Sequence, residues 1–475
     1  MKTLWLHALL LTILCRPVVY AAEDKRTLVL APCRFADLTR AARCGALNVP
    51  ENPDKPGDRR LSISVAVIPA AHAPALADPI VVLQGGPGED AISSAEYFAQ
   101  RFASLLDDRD LLLVDQRGTG KSGALSCNLY SARDPGASLR DVFPLAAVKR
   151  CAQRLKARAD LTQYTYDRFA GDLEQVRRAL GYGALNFYAG SYGTRAAQVY
   201  MRSFPASVRT AYLGSAVPMD AANPLAFAKT AQAAFEMLFS SCAADAACRS
   251  AYPKLREEFR GIMLRLDSGT VRVSIPGSAG KATLSRGRVA EWMRSKLYRP
   301  KSATMLPWMI HRAYAGDWNP LVKDVLTDAR DADPAFSIGL FFAITCSEDV
   351  AFIREQDIAP QTQGTFLGDY RVREQQAACK EWPTRTLPKD FRAPVTSAVP
   401  TVFASGGADG GTPLWYADHV AAGFSNRLQI IVKGQGHTEW SDCLAQVYQQ
   451  LVRGGAVSGL NPSCPDVPQP PFKLN

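Results

Sequence analysis

Apolar residues along this chain fall into two kinds of run. From Leu61 to Val67, Leu, Ile, Val and Val alternate with Ser, Ser and Ala. A period of two predicts a strand with one buried face. Ile80 to Leu83 and Leu111 to Val114 are apolar throughout and empty into glycine-rich or acidic turns, as strands buried on both faces of a parallel sheet do. Between Phe169 and Leu180, the residues Leu173, Val176 and Leu180 recur at helical spacing, and Gly181 stops the helix. Asn186 to Ala189 then reads as a strand, Thr194 to Phe204 as a helix ending before Pro205, and Thr210 to Leu213 as another strand. From about Pro218 to Pro394 the pattern is helical, interrupted by a hairpin pattern around Val271 to Leu284. Strand signals resume at Thr401 to Ala404 and Leu428 to Val432.

Strands alternating with helices, a long helical stretch and then two more strand–helix units predict an α/β fold: a mostly parallel central sheet with an inserted, mainly helical cap. The expected divisions are a leader at 1–21, the first part of the core at 22–216, the cap at 217–395, and the returning part of the core at 396–475. Internal repeats and low-complexity tracts are lacking, and the tail from Pro462 is proline-rich.

The first 21 residues change where the chain should work. Lys2, the apolar stretch Leu4 to Leu14, and Val19-Tyr20-Ala21 fit a cleaved export signal, so a periplasmic or secreted location is expected. The apolar stretch is shorter than the roughly 20 residues of a spanning helix, and no later uncharged segment reaches that length, so stable membrane insertion is not expected. Leu14 and Arg16 around Cys15 do not resemble a lipoprotein signal. Once Cys15 leaves with the signal, ten of the eleven cysteines remain. An even number in an oxidising compartment predicts disulfides, and chain neighbours suggest Cys33 with Cys44, Cys127 with Cys151, Cys242 with Cys248, Cys346 with Cys379 and Cys443 with Cys464. Sequence leaves the connectivity open. Metal binding is not expected, because no C-x-x-C pair occurs. The net charge of +10 falls to +8 without Lys2 and Arg16, a basic excess too modest to argue for a nucleic-acid partner. Arg286, Arg288, Arg294, Lys296, Arg299 and Lys301 form its densest stretch, spaced like one exposed helix with its flanks.

Candidate chemistry sits at the ends of the apolar runs. Ser191 lies in Ala-Gly-Ser-Tyr-Gly between a predicted strand and a predicted helix, Asp409 lies in a glycine-rich turn after the 401–404 strand, and His437 follows the 428–432 strand. A serine hydroxyl needs a base within hydrogen-bond reach and a third group to orient that base, and the chain order Ser, Asp, His is that of the α/β-hydrolase fold. Ala189 replaces the first glycine of G-x-S-x-G and is still small enough for close strand–helix packing. The loop Gln84-Gly85-Gly86-Pro87-Gly88 supplies candidate oxyanion donors, the N–H of Gly86 together with that of Tyr192. The other histidines lie in the leader, in an Ala/Pro-rich loop or in helical patterns. Asp115 to Ser122 ends like a phosphate-binding loop but has Asp where the first glycine belongs, so nucleotide binding is not expected. No cofactor is called for.

Gln84-Gly85-Gly86-Pro87-Gly88, Asp115-Gln116-Arg117-Gly118-Thr119-Gly120 and Ala189-Gly190-Ser191-Tyr192-Gly193-Thr194 together resemble the proline iminopeptidase and tripeptidyl aminopeptidase family of exported serine peptidases. Cys44-Gly45 leading to Val49-Pro50, Cys346-Ser347-Glu348-Asp349, and Cys379 followed by Trp382-Pro383 resemble its tripeptidyl branch, whereas Gln84 and Glu89-Asp90 depart from the family pattern. The resemblance implies a peptide substrate with a free N-terminus, its α-amino group held by Glu348 and Asp349. A carboxylesterase acting on small esters and a non-catalytic binding protein on the same fold remain alternatives. The number of residues released per cleavage, the side-chain preference and the oligomeric state stay open.

Overall fold

A computed structural model describes residues 28–130, 134, 136–277, 280–327 and 335–474; the expected leader at 1–21 lies outside them. Strands β1 (Ala31–Cys33), β2 (Ala42–Pro50), β3 (Arg60–Ile68), β4 (Leu76–Leu83), β5 (Arg109–Val114), β6 (Leu185–Gly190) and β7 (Val208–Gly214) come first. A short hairpin, β8 (Arg272–Ser274) with β9 (Lys281–Thr283), lies among the helices that follow, and β10 (Thr401–Gly406) and β11 (Arg427–Val432) complete the set. Nine strands make one sheet in the order β1-β2-β3-β5-β4-β6-β7-β10-β11. From β5 to β11 every neighbouring pair is parallel, while β1, β2 and β3 form an antiparallel edge. The protein thus has the α/β-hydrolase fold.

The apolar runs are buried because both faces of the sheet are covered. Val81, Leu83, Phe187 and Leu213 contribute to one core, whereas Ile80, Val82, Tyr188 and Tyr212 point to the other. This alternation is what a strand's period of two produces inside two helical layers. Most helices between β7 and β10 share a third core, built around Trp292, Phe235 and Ile310, whereas Ile338–Glu348 packs into the first.

One expectation takes a different form. The basic stretch is indeed a helix, Arg286–Lys296, with its flank; Arg299 and Lys301 on the flank are exposed, but the helix itself is not. Arg288 donates to the carbonyls of Ser138 and Val325, and Arg294 is chelated by Glu291, so the charges are spent inside the packing. The loop 115–122 likewise serves the fold. Arg117 forms a fork to Asp172 with both contacts at 2.7 Å and donates to the carbonyls of Glu51 and Gln163. Asp115 accepts N–H bonds from Ala91, Ile92 and Lys121, and burial pushes its carboxyl up to about 6. The ten cysteines form the five neighbour disulfides.

Candidate active site

Five adjacent parallel strands deliver the site from their C-terminal ends, where open α/β sheets place their ligands. β4 leads into Gly85 and Gly86, β6 into Ser191, β7 into Ser215, β10 toward Asp409 and β11 toward His437. Ala189 pairs with Leu83 of β4 and Leu213 of β7, so Ser191 emerges in the middle of the sheet. Its φ of +53° is left-handed, a conformation a non-glycine residue adopts only when its surroundings hold it there. Here the Ser191 N–H is tied to the Gly214 carbonyl at 2.9 Å, and the helix Gly193–Ser203 starts two residues on. A Cβ at position 193 would lie 2.1 Å from the Leu83 carbonyl oxygen, so only glycine lets that helix start against β4.

The three sequence-derived residues meet. His437 Nε2 is 2.9 Å from Ser191 Oγ, and His437 Nδ1 is 2.9 and 3.0 Å from the two Asp409 oxygens. The carboxylate selects the tautomer: Nδ1–H donates to Asp409, which leaves Nε2 free to accept the serine proton. Asp409 also accepts from Thr412 Oγ1 at 2.6 Å, Ser215 Oγ at 2.8 Å, and the N–H groups of Gly411 and Thr412 at 2.7 and 2.9 Å. Burial alone would raise this carboxyl, but the facing imidazole and the bonds from His437 and Thr412 outweigh it and hold Asp409 below its usual range. Asp409 is therefore a fixed anion.

Other residues hold this series in place. Ser215, itself at φ +52°, bridges Asp409 to the N–H of Thr438, which follows the histidine. Tyr298, in the helical stretch between β7 and β10, accepts the His437 N–H on its carbonyl at 2.7 Å and sets its ring 5.0 Å from the imidazole. Neither residue stands out in the sequence. A single Ser or Tyr far from any motif carries no signal, and only the folded register brings it to the site.

The Gly85–Gly86 turn lies over the nucleophile: a Cβ on Gly85 would come within 3.2 Å of the Ser191 Cβ. Gly86 has φ +106°, which glycine adopts without strain. Among the described residues, the N–H groups of Gly86 and Tyr192 have no backbone acceptor, and Tyr192 caps the positive end of the Gly193–Ser203 helix. Above Ser191 opens a cavity of about 460 Å³, lined in part by Gly86, Tyr192, Glu89, Phe341 and Gln375.

Glu348 and Asp349 are not in that cavity. Both are wholly buried. Asp349 is 2.7 Å from Arg195 and accepts from the Tyr192 hydroxyl at 3.2 Å, so it stands behind the cavity wall with its charge already answered. Glu348 accepts the Tyr166 N–H at 2.8 Å, and its second oxygen is sealed from solvent. The expectation that this pair holds a substrate ammonium is corrected on those grounds: a substrate group cannot reach them without unpacking the wall.

Burial pushes the Glu348 carboxyl well above the usual carboxylate range. The folded state then holds a proton that the unfolded state releases, and stability falls as pH rises above the unfolded value near 4.3. Glu348→Gln removes this liability and keeps the acceptor for Tyr166. Its melting temperature should exceed that of the wild type at pH 7 by more than at pH 4; a pH-independent difference in calorimetry would contradict this.

A hydroxyl, an imidazole and a carboxylate in hydrogen-bonded series, at the C-terminal edge of such a sheet and under two undirected amides, are the parts of acyl transfer rather than of binding alone. The class is that of the serine hydrolases. Residues 78–280 match the α/β-hydrolase-fold family and residues 364–464 match a family described as TAP-like protein. These matches support an α/β-hydrolase-fold serine hydrolase with peptidases among its relatives. It is 27% identical to the serine protease Hip1 of Mycobacterium tuberculosis, covering 91% of this chain and 90% of that one. Carboxylesterase B of the same organism is 27% identical over 79% of this chain and 76% of its own. The tripeptidyl aminopeptidase of Streptomyces lividans is 27% identical over 38% of this chain and 36% of its own.

Proposed function

We propose that this serine hydrolase is an exported aminopeptidase that releases short peptides or single residues from free N-termini. The observation that carries the reading is the series Ser191–His437–Asp409, linked at 2.9 Å on both sides of the imidazole and opening onto a cavity. Ser191 Oγ attacks the scissile carbonyl as His437 Nε2 takes its proton, and the N–H groups of Gly86 and Tyr192 receive the developing oxyanion. The imidazolium, stabilised by Asp409, returns the proton to the leaving amine. Water then repeats the sequence on the acyl-enzyme and frees Ser191. Residues 217–395 serve as the cap that shapes the substrate cavity. Export is supported by the leader-like residues 1–21 and by the five disulfides.

Among the described residues, Glu89 is the carboxylate that lines the cavity, and a substrate ammonium would meet it there. Opposite charges about 4 Å apart near a surface attract by about 4 kcal/mol before desolvation and solvent screening. A part of that gives a preference of about tenfold. Matched peptides with free and N-acetylated ends should differ in kcat/KM by that factor, and Glu89→Gln should narrow the gap. Equal turnover of both peptides by the wild type would refute the aminopeptidase reading. A second reading, esterase action on small esters by the same residues, is favoured by the similarity to carboxylesterase B. It predicts turnover of esters and none of either peptide.

A further inference from the structure

Among the described residues, the cavity over Ser191 is lined by four arginines, Arg101, Arg294, Arg299 and Arg371, against one carboxylate, Glu89. These cations are not equivalent. Arg294 and Arg371 both contact Glu291, Arg294 by two bonds of 2.7 and 2.8 Å and Arg371 at 3.1 Å, so a buried anion answers part of their charge. Arg299 is exposed at the rim.

Arg101 ends the helix Ala95–Arg101 and is half-buried. Its guanidinium carbon lies 4.4 Å from the ring centre of Tyr97 and 4.5 Å from that of Trp440. One nitrogen, Nη1, donates to the Tyr188 hydroxyl at 3.0 Å. Among the described residues no carboxylate pairs with it.

We propose that Arg101 is a specificity-determining residue that binds a carboxylate of the substrate, so that the enzyme prefers peptides carrying an anionic group within this cavity. The inference rests on the acyl-transfer reading of Ser191 and adds the substrate class. Two aromatic rings hold the cation by its faces, which leaves the edge, with most of its five N–H donors, for a ligand. A planar fork of this kind matches a carboxylate in two parallel bonds. Because the rings already restrict the side chain, binding costs less ordering than it would for a free surface arginine. A cation left without a counter-ion inside an enclosed, partly apolar site is answered most favourably by an anion that arrives with the substrate.

The carboxylate can come from an acidic side chain or from the C-terminus of a short peptide, and the test separates these sources. Peptides sharing one acyl portion are compared as Glu against Gln, each with an amidated C-terminus, and as free acid against amide. Wild type should favour at least one carboxylate over its neutral counterpart by about tenfold or more in kcat/KM. Whichever pair shows the preference names the source. In Arg101→Met the acid-to-neutral ratio should fall to within about twofold of unity, and Arg101→Lys should retain part of it. A wild type without preference in either pair, or a ratio unchanged in Arg101→Met, overturns the proposal. If no peptide is cleaved, the peptidase reading fails, and the same pairs are scored as competitors of fluorophosphonate labelling at Ser191. Stronger protection by the acids, lost in Arg101→Met, supports the arginine's role; equal protection by acid and amide overturns it.

Discussion

Ser191→Ala is expected to lower kcat by about 10⁶, the size of loss that follows removal of the nucleophile when nucleophile and base act as a unit. The reason is geometric. Ser191 is the hydroxyl that faces His437 Nε2 at 2.9 Å while its backbone stands at φ +53° on the turn between β6 and the following helix. Alanine keeps that turn and removes only the attacking oxygen. The amides of Gly86 and Tyr192 remain, so a residual rate of about 10³ to 10⁴ over water should persist. Steady-state assays with highly purified protein, with folding checked by circular dichroism, measure the loss. A drop of less than about tenfold would mean that another group attacks.

The second large effect is expected at Asp409. Asp409→Asn should reduce kcat by about 10⁴ with little change in fold. The amide nitrogen of asparagine can donate to His437 Nδ1, which reverses the tautomer and places the proton on Nε2, where it blocks acceptance from Ser191 Oγ. In the wild type the carboxylate is held as an anion by His437, Thr412 and Ser215. Its depressed pKa means that this contribution to stability is present above the unfolded value near 3.9 and is lost only as pH falls below it. Rate loss at neutral pH in a protein that still folds, with a melting temperature lowered more at pH 7 than at pH 3, supports the assignment. Activity within tenfold of wild type would remove Asp409 from the series.

Much of this was legible in the chain because the informative segments are short-range. Apolar runs such as 80–83 and 111–114 announce strands whatever else the protein does, and Ser191, Asp409 and His437 each sit beside such a run. The antiparallel edge was less visible. β2 (Ala42–Pro50) has few β-branched residues and ends in proline, and its strand character comes from pairing with β3 along eight residues. The basic helix misled for a related reason. Exposure of Arg288 and Arg294 is decided by Ser138, Val325 and Glu291 packing around them, and spacing cannot report that. Glu348 and Asp349 show the same limit. The family resemblance implies an ammonium-binding pair there, but Arg195, more than 150 positions earlier, pairs with Asp349 instead. Arg101 carries no signal in the sequence because only Tyr97, one helical turn before it, is local, whereas Trp440 comes from the far end of the chain.

The central claim is that one serine, activated by His437, forms a covalent acyl intermediate. Mass spectrometry of the protein after reaction with a fluorophosphonate tests it most directly. The account predicts one adduct, mapped to Ser191, that is absent from Ser191→Ala and forms far more slowly in His437→Ala. An adduct on a different serine with Ser191 unmodified, or undiminished labelling of Ser191→Ala, would contradict it.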